Sequence, residues 1–94
     1  MTIEATYPDG TYRYVANTFS MLRLVNKIHS FDEDCLLKEI DLLSGTIKAD
    51  EYDDVIEALE SFKLKDEQAD DARDGLLDAI RYAKDNGYEW VIFT

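Results

Sequence analysis

Tyr88-Glu89-Trp90-Val91-Ile92-Phe93-Thr94 is β-branched and aromatic almost throughout, and its reading decides the fold. Such residues favour a pleated strand. Alternation puts Tyr88, Trp90 and Ile92 on one face and Val91 and Phe93 on the other, so both faces are apolar. A strand of that kind belongs in the middle of a sheet or under cover on both sides. Its sheet partners must come from elsewhere in the chain. Ile3, Ala5 and Tyr7 alternate with Glu4 and Thr6; Tyr12, Tyr14 and Ala16 alternate with Arg13 and Val15; Pro8-Asp9-Gly10 lies between. That pattern predicts a β-hairpin, with Gly10 free to take positive φ in the loop.

Between hairpin and final strand the periodicity is helical. Met21, Leu24, Val25 and Ile28 predict a first helix over about 18–29, capped by Asn17 or Thr18. Ser30-Phe31-Asp32-Glu33 reads as a capping box for a second helix, with Leu36, Leu37, Ile40 and Leu43 as its stripe and Gly45 as its stop. A third helix is expected from Ala49 or Asp50 to about Leu64, and a fourth from about Asp66 to Lys84, ending at Asn86-Gly87. The expected fold is α+β in the order ββααααβ. An N-terminal β-hairpin and a C-terminal strand form a three-stranded antiparallel or mixed sheet, with four helices packed on one face. With 94 residues and no linker or repeat, residues 1–94 read as one globular domain.

Charge is unevenly placed. Residues 1–30 carry two acids and three bases, whereas residues 31–94 carry nineteen acids and seven bases, for a net −11 overall. Nucleic acid and anionic membrane are repelled by such a chain, and a basic protein surface is attracted. MTIEATYPDG has no basic-then-apolar leader pattern, no run approaches the ~20 apolar residues of a membrane span, and Cys35 is the lone cysteine. A cytoplasmic protein is expected.

The acids of the third and fourth helices fall into rows. At 100° per residue, Asp50, Asp53, Asp54, Glu57 and Glu60 lie opposite Tyr52, Val55, Ile56, Leu59 and Phe62. Glu67, Asp70, Asp71, Asp74 and Asp78 lie opposite Ala69, Ala72, Leu76, Ile80 and Ala83. Five charges over ten residues give about one per 3–4 Å, near the ~3.4 Å of a single DNA strand, and two such helices side by side would form a double row. Two readings stand together. The rows are a decoy for a site that neutralises phosphates, or they are solvated faces whose acids complement the helix dipole. Asp70 with Arg73 and Glu60 with Lys63 are expected i,i+3 pairs.

No catalytic signature is present, and the chain is expected not to be an enzyme. His29 sits near a helix end, where a cation is favourable, and Cys35 reads as a core filler. Asp70-Asp71-Ala72-Arg73-Asp74-Gly75 has the outline of a calcium loop, yet Ala72 and Arg81 fall at ligand positions, so the stretch reads as helix. No metal and no cofactor is expected. Tyr12, Tyr14, Tyr88 and Trp90 are candidates for an aromatic interface on the sheet face away from the helices, through which self-association could occur.

Asp41-Leu42-Leu43-Ser44-Gly45, and Ala83-Lys84-Asp85-Asn86-Gly87 followed by Tyr88–Thr94, resemble the target-facing helix end and the closing helix, glycine and strand of barstar-type acidic nuclease inhibitors. The resemblance implies Asp41 as a target-contacting carboxylate. The chain departs from that family in its N-terminal hairpin and in having no clear strand before the third helix. In composition it also resembles small phage-encoded inhibitors of restriction or CRISPR nucleases. The expected function is therefore a non-enzymatic, anti-restriction or anti-CRISPR type of nucleic-acid mimic that binds a basic nucleic-acid-handling enzyme. The alternative is an oligomeric scaffold domain that associates through the aromatic sheet face.

Overall fold

A computed structural model describes residues 1–30, 45–61 and 65–94. The hairpin forms as the alternation predicts, from β1 (Thr2–Thr6) and β2 (Tyr12–Asn17). Its turn is held by Gly10, at φ 87°, and by Asp9, whose Oδ1 accepts from the Thr11 amide at 2.9 Å. Asn17 ends β2 and caps α1 (Thr18–His29), its side chain accepting from the Ser20 amide at 2.7 Å. A short strand β3 (Thr46–Lys48) runs into a 3-10 turn (Ala49–Glu51) and α2 (Tyr52–Ser61). Then come α3 (Glu67–Asp85), capped by Asp66, and β4 (Trp90–Phe93).

The architecture is α+β, but the expected count is corrected. The sheet is four-stranded in the order β2-β1-β4-β3, antiparallel at every step, and the described residues hold three α-helices. The missing strand is Thr46–Lys48, which pairs Ile47 with Val91. Three residues are too few to carry an alternation signal, so nothing local marks them; β4 makes them a strand by pairing with them. The second expected helix falls in residues 31–44, outside the described residues.

β4 lies inside the sheet, between β1 and β3, as its two apolar faces require. Val91, Phe93 and Ile47 are fully buried with Ile3, Ala5 and Tyr7 on one face. The buried sides of all three helices join that same core: Met21, Leu24 and Ile28; Tyr52, Val55 and Leu59; Ala69, Ala72, Leu76 and Ile80. Each large side chain so buried contributes about 1.5–3 kcal/mol. Residues paired across strands share a face, so Tyr12, Thr6, Ile92 and Thr46 form one row on the opposite side.

The Tyr12–Ala16 alternation is broken. Ile3 pairs with Ala16 but Glu4 pairs with Tyr14, leaving Val15 as the extra residue of a β-bulge. Val15 and Ala16 are in consequence both buried, each 4% exposed. The bulge brings the Val15 carbonyl against α3 at Gly75, where an added Cβ would stand 2.0 Å from that oxygen. Gly75 is therefore a packing residue inside a helix and no part of an ion-binding loop.

Candidate functional site: the acidic helical surface

α2 and α3 lie side by side and antiparallel, as their two ion pairs show. Asp53, early in α2, meets Lys84 near the end of α3 at 2.5 Å. Glu60, two turns later, meets Arg81 at 2.6 Å. Seven residues bring Asp53 and Glu60 back to the same side of α2, and three bring Arg81 and Lys84 to the same side of α3. The seam between the helices is thus a line of alternating charge. The Asp53 carboxylate is the main reason the Lys84 ammonium is held above its usual range.

These contacts correct the expected double row. Asp53 and Glu60 are turned to bases of the neighbouring helix, and Lys63, the expected partner of Glu60, lies outside the described residues. Asp70 pairs with Arg73 as expected, and Asp74 stands 3.9 Å from the same guanidinium. Among the described residues, no base lies within ion-pair distance of Asp50, Asp54 and Glu57 on one side of the seam, or of Glu67, Asp71 and Asp78 on the other. All six are exposed. The acids form two ridges flanking a neutral seam. On α3, Glu67, Asp71, Asp74 and Asp78 span twelve residues, about 16 Å end to end, or roughly one carboxylate per 5 Å. That is sparser than the ~3.4 Å of a DNA strand.

Asp66 anchors the near end of the α3 ridge. Its Oδ1 accepts from the Gln68 and Ala69 amides at 3.0 and 3.3 Å, while Oδ2 accepts from Arg23 Nε at 2.7 Å. The Arg23 hydrogen bond leads in holding the Asp66 carboxyl below its usual range. One residue thus caps α3 and ties it to α1.

The aromatic candidates divide. Tyr12 and Tyr14 are 69% and 60% exposed on β2, an edge strand. Trp90 and Ile92 lie on the same open face, half-buried, next to Lys48 and Thr46 on β3. Tyr88 is not among them. It precedes β4, stacks on Tyr7 with ring centroids 5.0 Å apart, and donates to Asp9 Oδ2 at 2.6 Å. The backbone turn after Gly87 carries Tyr88 out of the strand's alternation and over to the hairpin end.

His29 is exposed in the last turn of α1, whereas Cys35 and Asp41 fall outside the described residues. Among the described residues, no three His, Cys, Asp or Glu side chains gather as metal ligands. No described helix is long and apolar enough to cross a membrane. Sequence reasoning missed Arg13, whose guanidinium lies 4.8 Å over the Tyr82 ring. The signal was its place in the alternation, opposite Tyr12 and Tyr14 and so on the helix side of β2. Compared with known protein families, curated proteins and solved structures, the chain matches none.

Proposed function

We propose that the protein is a non-enzymatic acidic binding protein whose α3 ridge occupies the nucleic-acid surface of a basic nuclease, restriction enzyme or CRISPR effector. One observation carries this reading. Glu67, Asp71, Asp74 and Asp78 run along a single exposed line of a 19-residue helix, and three of the four have no base within ion-pair distance among the described residues. Solvated acidic faces usually intersperse bases, and here the bases Arg81 and Lys84 are drawn aside into the seam. The sparse spacing favours a partner that reads a few phosphates, with the rest of its specificity supplied by shape.

The test is capture of a partner at low salt, followed by competition. Duplex DNA should displace the protein from that partner, and steady salt weakening is expected as counterions are released. Changing all four acids to Gln or Asn should lower the association rate more than it raises dissociation. Affinity unaffected by salt or by this fourfold change would defeat the reading. The exposed Tyr12 and Tyr14 favour a second one, association through the open sheet face. A strictly monomeric mass by light scattering at micromolar concentration would remove it.

A further inference from the structure

The chain has four arginines. Arg23 lies on Asp66, Arg73 on Asp70 and Arg81 on Glu60. Arg13 alone has no carboxylate within ion-pair distance among the described residues; its guanidinium lies over the Tyr82 ring instead. In a chain of net charge −11 that is an unexpected economy of acid. A guanidinium stacked by its face presents its N–H groups along its edges; one edge of Arg13 is shared with the Tyr7 hydroxyl, and the rest of the planar fork fits a carboxylate.

Arg13 opens onto a recess of about 260 Å³ lined by Tyr7, Thr11, Tyr12 and Tyr82. Its floor is set in advance by Tyr7. Tyr7 is 1% exposed, with its hydroxyl donating to the Ala79 carbonyl at 2.9 Å. Tyr88 stacks behind Tyr7 and is itself tied to Asp9. A part of the site already fixed loses no further entropy when the recess is filled. The volume falls just below the usual ~300–1,000 Å³ of small-molecule sites, which limits the occupant to a small molecule.

Two features narrow its chemistry. The Tyr82 ring, partly exposed at the recess, favours a planar body beside it. Asp9 on the turn, Asp78 one helical turn before Tyr82 and the overall negative charge disfavour a dianion such as a phosphate monoester. We propose that this recess binds a small aromatic monocarboxylate, gripped at its carboxylate by Arg13. The site lies at the hairpin end, one helical turn beyond Asp78, the last acid of the α3 ridge.

The experiment is an NMR titration of the whole chain with benzoate, benzamide and acetate. Benzoate should give saturable shifts at the Thr11, Arg13 and Tyr82 amides in the millimolar range. Benzamide, which lacks the charge, and acetate, which lacks the ring, should each bind about tenfold more weakly or worse. Arg13→Gln should lose benzoate binding by a similar factor while the Ile47 and Val91 resonances stay in place. Absence of saturation with benzoate, equal binding of benzamide, equal binding of acetate, or undiminished binding by Arg13→Gln would each overturn the proposal. The comparison of benzoate with benzamide uses the unaltered protein, so it decides the matter even where the variant does not fold.

Discussion

Replacing Gly75 with alanine should destabilise the domain, against the ordinary preference of helices for alanine. In an exposed helix interior that change gains up to about 1 kcal/mol, because glycine loses more backbone freedom on folding. Here the new Cβ would stand 2.0 Å from the Val15 oxygen and 2.9 Å from its carbonyl carbon. Ordinary contact begins at 3.4 Å, so the bulge of β2 must recede from α3 by about 1.4 Å. The opposing atoms are backbone, so no side-chain rotation relieves the contact. Overpacking of this kind typically costs about 1–3 kcal/mol or more, enough to overcome the propensity gain. A net loss of about 1–2 kcal/mol would lower Tm by roughly 4–16 °C for a domain this size. Urea unfolding followed by circular dichroism measures it, with Asp78→Ala on the exposed side of the same helix as a control expected to be neutral or slightly stabilising. A Gly75→Ala variant as stable as the parent, or more so, would refute the claim that the bulge and helix touch at this point.

Tyr7→Phe removes a buried hydroxyl that joins the chain just after β1 to the Ala79 carbonyl, and about 1 kcal/mol of stability should go with it in thermal unfolding. Burial pushes the Tyr7 phenol up to about 12 from 10.0, so its neutral form favours the fold. The associated stability is complete below pH 10.0 and is lost as pH rises toward about 12; the variant should show a shallower decline over that window, with Tyr52 and Tyr88, also raised, supplying the remainder. Asp66 and Asp9 are held below 3.8, so their stabilisation is present above that value and lost as pH falls through their lowered ones. Asp66→Asn retains an oxygen for capping but loses the Arg23 ion pair, and its melting temperature should fall less steeply with acid than the parent's. At neutral pH, melting temperature should rise as the Debye length shrinks from ~30 Å at 0.01 M to ~8 Å at 0.15 M salt, because the acidic ridges repel themselves more widely than the seam pairs attract. A flat or falling response would show the seam pairs to dominate.

Elements written in local chemistry were legible. Asn17 before Met21 and Leu24, and Asp66 before Ala69 and Ala72, place the starts of α1 and α3 within a residue. Pro8-Asp9-Gly10 specifies the hairpin turn, because glycine takes positive φ without cost. The apolar stripes of α2 and α3 were readable from a period of 3.6, so the sidedness of their acids was readable too. The pairing of those acids was not. Periodicity shows which way a helix faces, but it is silent on which helix stands beside it and in what register. Tyr88 misled for a related reason: its alternation with Trp90 holds only if the strand begins before the turn has finished.

Local chemistry alone settled the α+β class, the caps, the turn and the central place of Trp90–Phe93, since each depends on residues within a few positions of one another. Packing settled the rest. Thr46–Lys48 became a strand only because β4 offered an unpaired edge, and Val15 became a bulge only where Gly75 let a carbonyl reach the helix. Asp53 and Glu60, still exposed, are paired because Lys84 and Arg81, 31 and 21 residues away, were brought beside them. Contacts across such distances in the chain exist only once the core has set one helix against another, and they decide how much of the negative charge still faces a partner.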